Sequence, residues 1–423
     1  MKFKKTTLEN GVRVITVPMK DNPTVTILIT VATGSFYEKP ELSGISHFLE
    51  HVSFKGTVKR PSAKAITTEL DSIGALYNAF TSKEVTGYYV KADVKHFSKI
   101  ADVVADIFKN SVFPEKEIEK EKNVIMGEID MYADDPQEKL AEALAKHMYA
   151  GQPAEREVLG TKETVANVTR EALIAYKASQ YTGPNTVVTV AGGVPEEEML
   201  AYARGNFSDL RNESPSPEYL TQDKDQKAPE TVFVDKDTDQ AHIIMAWRTF
   251  DKSHPDRFVA NIIKHILKGG MSSRLFIRLR DEMASGYYIS AGHAAYKSFG
   301  LFLISTGTRH ERVPEIVSAI LSEIQKLKTE LVSTEEIEKV KEYMRAHRLM
   351  SLETSDDVAD FFGEQEILEN RVRTPEDFDA IYTKITAEDV MRVSNILFDN
   401  RKLTVGAIGK GIDKESVKAA LVS

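Results

Sequence analysis

Apolar and polar positions divide the chain into segments of two periodicities. Leu8-Glu9-Asn10-Gly11-Val12 carries an Asn-Gly turn signal, and the alternation from Val12 to Val17 that follows reads as a strand. Thr24 to Ala32 is a β-branched run that suits a buried strand. Ser43-Gly44 opens a helix running through His51, and a second helix is expected over Ala63–Ile73. Tyr77–Phe80 and Val85–Ala92 read as paired strands. Helical spacing then covers His96–Asn110, Glu115–Ala133, Leu140–Met148 and Arg170–Ser179, before a strand at Thr186–Ala191 and a helix near Glu196–Phe207.

Residues 211–230 interrupt this pattern. Asn212-Glu213-Ser214-Pro215-Ser216-Pro217 and the charged stretch to Pro229 have linker composition. Beyond them the order starts again: strands at Thr231–Val234 and Ala241–Trp247, a helix over Arg257–Leu267, strands at Tyr287–Ala291 and Leu301–Thr306, and helices over Val313–Leu327 and Glu335–Leu349. Phe54-Lys55-Gly56 is echoed by Leu267-Lys268-Gly269, and Glu117-Ile118-Glu119-Lys120 by Glu336-Ile337-Glu338-Lys339. The chain is therefore an internal repeat of about two hundred residues. The expected fold is α+β, one sheet-plus-helices unit used twice: domain 1–210, linker 211–230 and domain 231–423.

Composition narrows the chemistry. The 423 residues include no cysteine, so thiol catalysis, disulfides and cysteine-bound metal are excluded. A net charge of -9 argues against a nucleic-acid partner. No run of about 18 apolar residues occurs, and Met1–Val17 has no continuous apolar core. The expectation is a soluble cytoplasmic protein with no membrane partner.

A metal site must then come from His, Asp and Glu. His47-Phe48-Leu49-Glu50-His51 lies on the first helix. Residues four apart share a helix face, so His47 and His51 reach one ion. Glu50 lies beside that face, where its carboxylate can take a proton from a water on the metal. In the helix Glu115–Ala133, Ile118, Ile125 and Tyr132 form an apolar stripe spaced by seven, and Glu121 and Glu128 fall along it. Carboxylates in such places are costly unless paired or metal-bound. Glu128 as third ligand, with Glu121 holding a ligand or the water from behind, fits the set. The bland alternative is a pair of solvated or core histidines on an amphipathic helix, with Glu121 and Glu128 on a solvated stripe of a very charged one.

The inverted His-x-x-Glu-His string, with Glu128 following His51 by 77 positions, resembles the pitrilysin/insulinase family of zinc peptidases, in its short branch that includes mitochondrial processing peptidases and bacterial homologues. Further matches are Gly74-Ala75-Leu76-Tyr77-Asn78-Ala79-Phe80-Thr81, Tyr88 and Val124-Ile125-Met126-Gly127-Glu128-Ile129. The resemblance implies one Zn2+ per chain on His47, His51 and Glu128, endopeptidase activity, and subunits that pair like a clamshell around a chamber. It implies that Asn78, Ala79, Phe80 and Thr81 form an edge strand binding extended substrate. It also implies an Arg and a Tyr seven apart in the second domain, here Arg280 and Tyr287, with Tyr288 adjoining. These suit contacts to the oxyanion on the scissile carbonyl.

Anchoring the repeat on Phe54-Lys55-Gly56 and Leu267-Lys268-Gly269 places Ala260, Ile263 and Lys264 opposite His47, Glu50 and His51. The second half therefore cannot hold this metal. The expected function is Glu50-assisted, zinc-dependent hydrolysis of peptides or unfolded polypeptide segments, by a homodimer or a heterodimer with a homologue. The alternative is a non-catalytic peptide-binding or scaffold subunit.

Overall fold

The computed structural model describes residues 1–217 and 219–421. The strands are β1 Lys4–Thr7, β2 Arg13–Pro18, β3 Thr24–Val31, β4 Leu76–Thr81, β5 Thr86–Asp93 and β6 Thr186–Gly192, then β7 Glu230–Val234, β8 Ala241–Thr249, β9 Ile289–Ala295, β10 Gly300–Thr308 and β11 Leu403–Ile408. They form a six-stranded sheet of order β1-β2-β6-β3-β5-β4 and a five-stranded sheet of order β7-β11-β8-β10-β9. Apart from β1 the orders match position for position. In each sheet one pair is parallel, β2 with β6 and β7 with β11, and the remaining pairs are antiparallel. The α+β repeat expected from the sequence is thus present in the topology.

The Asn10-Gly11 turn joins β1 to β2, with Gly11 at φ 87°. Its amide closes the turn on the Leu8 carbonyl. Tyr287 and Tyr288, read as the start of a strand, instead precede β9. Ala284 (φ 46°) and Gly286 (φ 76°) turn the chain there, and a seven-residue π-helix, Phe276–Glu282, leads into it. A left-handed backbone at two positions in three cannot continue a ladder.

Two compact units divide the chain, and they cut across the sequence halves. One comprises Met1–Asp130, Arg156–Tyr219 and Leu349–Pro375; the other comprises Met131–Glu155, Leu220–Arg348 and Glu376–Ser423. Each half lends the other a helix. In the first unit, β3 and β6 are covered by Ser355–Glu369, whose Val358, Ala359, Phe362 and Ile367 pack with Ile15, Val17, Leu28 and Val187. In the second unit, Pro136–Tyr149 lies on β11, β8 and β7. Gly406 on β11 admits it: a Cβ there would come within 2.8 Å of Leu144. A sheet with two apolar faces needs cover on both. Here the second cover comes from beyond the repeat's own boundary.

The opposite face of the first sheet buries Val25, Ile27, Ile29 and Val90 against Phe48, Val52, Ile100, Val104 and Phe108. This packing fixes the helix Ile45–Ser53 on the sheet. Among the described residues no helix is long and apolar enough to cross a membrane.

Candidate metal centre

The helix Ile45–Ser53 buries Ile45, Phe48, Leu49 and Val52 completely, which turns His47, Glu50 and His51 toward its other flank. Its first turn is held by a residue the sequence reading passed over. Glu38, wholly buried, accepts the Gly44 amide on Oε2 at 2.8 Å and the Ser46 amide on Oε1 at 2.9 Å. One carboxylate thus satisfies two amides of the helix start and suits the positive end of its dipole. Burial pushes the Glu38 carboxyl up to about 7 despite these bonds. Gly44 is required, because φ is 91° and a Cβ would lie 2.4 Å from the Leu159 carbonyl oxygen. Ser46 continues the network through Tyr176 to Thr33, each contact 2.8 Å.

His47 and His51 have ring centroids 4.5 Å apart. The helix Glu115–Asp134 supplies the rest. Oε2 of Glu128 lies 3.7 Å from Nε2 of His47 and 3.7 Å from Nε2 of His51. These distances are too long for hydrogen bonds. They lie near the separation of about 3.4 Å expected between two ligands of one tetrahedral zinc. Among the described residues, His47, His51 and Glu128 form the one group of three such side chains whose donor atoms converge, all within 4.8 Å of one another. Burial, followed by the charge of His51, lowers His47 to about 4, so its imidazole is neutral near pH 7, the form that binds metal. The donors therefore fit a zinc ion.

Glu121 lies behind His51, on the side away from Glu128. Its Oε2 lies 3.0 Å from Nδ1 of His51 and its Oε1 2.8 Å from Nζ of Lys55. Burial alone would raise its carboxyl, but the bonds with His51 and Lys55 hold it below the usual range. An ionised Glu121 fixes His51 with Nδ1 protonated and Nε2 free for the metal. His47 has no such support: its Nδ1 is buried without a partner among the described residues.

Glu50 stands between the ligands. Burial raises its carboxyl above the ordinary value. Thr81 donates to its Oε2 at 2.5 Å. That bond joins the helix to the last residue of β4, which among the described residues pairs only with β5 and is the sheet's edge. Asn78, Ala79, Phe80 and Thr81 all lie on β4, alternating exposed and half-buried.

Arg280 and Tyr287 belong to the second unit. Arg280 donates from Nη1 to the carbonyls of Gly286 at 3.4 Å and Tyr287 at 3.3 Å. The side chain of Tyr287 is open to solvent, whereas the Tyr288 hydroxyl lies 3.1 Å from Nδ1 of His242 and is pushed up to about 12 by burial. The two neighbouring tyrosines are thus separated into an available one and an engaged one.

The sequence model for Insulinase (Peptidase family M16) matches residues 13–162. The model for the Peptidase M16 inactive domain matches residues 167–344. This chain belongs to the M16 peptidase family. It is 33% identical over 405 residues to a Bacillus subtilis (strain 168) protein described as uncharacterized zinc protease YmxG, covering 93% of this chain and 94% of that one. It is 29% identical over 423 residues to the mitochondrial-processing peptidase subunit beta of Dictyostelium discoideum, covering 96% and 88%. The structure of a protease from Helicobacter pylori shares the fold, with a TM-score of 0.90 at 23% identity over 96% of this chain and 99% of that one. The M16 match spans both the His-x-x-Glu-His helix and Glu128, and the match to the inactive domain begins past them. The division agrees with a metal carried by the first half alone.

Proposed function

We propose that the chain is a zinc-dependent endopeptidase acting on peptides and unfolded polypeptide segments. The observation that carries this reading is the convergence of His47, His51 and Glu128 beside Glu50, whose carboxylate is bonded to the end of an edge strand. His47, His51 and Glu128 would hold one zinc per chain, which when bound would acidify a water and polarise the scissile carbonyl. Glu50 accepts the proton lost by the attacking water and returns it to the departing nitrogen. Glu121 and Lys55 keep His51 in the tautomer that presents Nε2. An extended substrate adds to β4 through main-chain hydrogen bonds along Asn78–Thr81, so binding depends on extension more than on side chains. Its backbone then runs toward Glu50, because Thr81 is both the strand's end and the partner of that carboxylate.

Arg280 and Tyr287 from a second subunit complete the site and face the developing oxyanion. The dimer closes around a chamber that excludes folded proteins, and the protein works in the cytoplasm. The partner is a second copy of the chain or a homologue.

Glu50→Gln tests the base. Cleavage of a quenched peptide is expected to fall by about a thousandfold while bound zinc is unchanged. Full activity in that variant would remove Glu50 from the mechanism. Mixing Glu50→Gln with Tyr287→Phe protein is expected to restore part of the activity after subunit exchange; no recovery with exchange verified rules out sites shared between subunits.

A further inference from the structure

The second unit contains a cleft of about 330 Å³ lined by Arg280, Ala284, Ser285, Gly286, Tyr287, Arg309 and Arg312. Three of these seven residues are arginines and none is acidic, in a chain whose net charge is -9. The arginines come from separate places: Arg280 from the π-helix, Arg309 just past the end of β10, and Arg312 at the start of the helix Val313–Thr329.

Their donors differ in how far they are already used. Arg312 is fixed. Its Nε and Nη2 donate to the two oxygens of Glu315, at 2.7 and 2.9 Å, and its Nη1 donates to the Met283 carbonyl at 2.9 Å. Arg309 is exposed; the carboxylate nearest it among the described residues, Glu311, is 3.5 Å away and equally exposed, and Glu315, which Arg312 holds, also feels its charge. An exposed contact such as that with Glu311 is worth little in water. Arg280 has no carboxylate partner among the described residues, only the two long bonds to main-chain oxygens. The wall between them is shaped by the turn at Ala284 and Gly286, and Ser285 is pinned to Thr308 at 2.7 Å. Two guanidinium groups whose N–H donors are only partly used thus line a cavity on a braced frame. Planar guanidinium groups match a carboxylate through paired, charge-assisted bonds.

We infer that this cleft binds a carboxylate of the substrate peptide, with Arg309 and Arg280 as its donors, and that it biases the enzyme toward peptides bearing negative charge. The carboxylate is either the peptide's free C-terminus or an Asp or Glu side chain. The inference rests on the peptidase reading above, which makes Arg280 and Tyr287 substrate contacts. It adds Arg309 as a specificity residue.

Full-length, zinc-loaded Glu50→Gln protein is titrated, by fluorescence anisotropy, into four labelled peptides of one core sequence. Two end in an α-carboxylate or an amide, and two carry Glu or Gln at one interior position. The carboxylate-bearing member of at least one pair should bind about tenfold tighter than its neutral match. Raising the salt concentration should shrink the difference. Whichever pair shows the effect names the source of the carboxylate. Arg309→Gln should bring that ratio close to one, and Arg309→Lys should restore part of it. Arg345→Gln, which breaks an exposed pair with Glu342 on another helix, should leave the ratio as it was. Equal affinity for all four peptides overturns the inference, as does an Arg309→Gln protein that loses affinity for all four alike. Wild-type protein that cleaves the neutral peptides without any preference sinks the carboxylate site and leaves the peptidase reading standing. Wild-type protein that cleaves nothing, yet binds with Arg309-dependent preference, sinks the peptidase reading and leaves the site.

Discussion

The helices Ile45–Ser53 and Arg257–Lys268 hold the same place in the two repeats, each between the strand at the centre of its sheet and the hairpin at its edge. Their packing is alike and their chemistry is opposite. Ile45, Phe48, Leu49 and Val52 anchor the first; Val259, Ile262, Ile266 and Leu267 anchor the second. Where the first has His47, Glu50 and His51, the second has Ala260, Ile263 and Lys264. The partner helices follow suit. Carrying the register of Glu117–Lys120 and Glu336–Lys339 onward sets Val340 against Glu121 and His347 against Glu128. Ala260 and Ile263 are fully buried and Val340 nearly so. The lesson is that the scaffold asks only for apolar faces. The metal centre is a small set of polar side chains, three of which (His47, Glu50 and Glu121) stand where the second half buries Ala260, Ile263 and Val340, while Lys264 and His347 keep the other two positions polar without a metal set.

That comparison can be attacked most strongly in the second half. Ile263→Glu, which copies Glu50 into the repeat, puts a carboxylate at a fully buried position within an apolar cluster. It should cost about 3 to 5 kcal/mol, read by urea unfolding. A variant as stable as wild type would mean that the second helix is not the closed frame described here.

Glu121→Gln loosens the first site without removing a ligand. The bond to Lys55 loses its charge and His51 loses its tautomeric lock. Zinc affinity, measured by competition with a chelator, should fall by between about ten and a hundredfold, with the fold intact by circular dichroism. An unchanged affinity would show that His51 needs no support.

The Glu38 cap gives the first helix a pH dependence of its own, whereas the N-cap residue of Arg257–Lys268, Asp256, makes no side-chain bond to its helix. Burial raises Glu38 from 4.5 to about 7, so the folded state binds its proton more tightly than the unfolded state does. By linkage this group's contribution to stability is fully present below pH 4.5, declines as pH rises, and levels off above about 7. Glu38→Gln should flatten that decline in a series of thermal unfolding curves across the window. Parallel curves for the two proteins would assign the pH dependence elsewhere.

The smallest effect separates the adjacent tyrosines. Tyr288→Phe removes a single hydrogen bond to His242 and should lower stability by about 1 kcal/mol, with little change in kcat. Tyr287→Phe, exposed and without such a bond, should lower kcat and leave stability alone. The reverse pattern would exchange their roles.

The parts of the site that were legible in the sequence are those set by spacing within one helix. His47, Glu50 and His51 are four residues apart at most, and Glu121 and Glu128 stand on the same stripe as Ile118 and Ile125. The parts that were not legible are bonds between distant segments. Nothing in the neighbourhood of Glu38 marks it as the acceptor for Gly44 and Ser46, and Thr81 gives no sign that it holds Glu50. The three arginines of the cleft are likewise scattered through 33 positions that look like ordinary surface charge.

The same limit explains the helices that change units. Pro136–Tyr149 shows an apolar face, but such a face says only that some sheet will cover it. Ser355–Glu369 is harder to read, because several of its buried residues are polar. Ser355 sits 3.0 Å from Thr24 and 2.8 Å from Thr26, and Glu366, completely buried, pairs with Lys5 at 2.7 Å and Arg13 at 3.3 Å. Those partners lie in the first strands of the chain, more than three hundred residues away. Sequence alone determined the repeat and singled out His47, His51 and Glu128 in its first half as the candidate metal group, because periodicity and side-chain identity are local quantities. Only the tertiary structure decided which helix covers which sheet, what caps the histidine helix and where the arginines meet, because burial and hydrogen-bond geometry depend on segments that are far apart in the sequence.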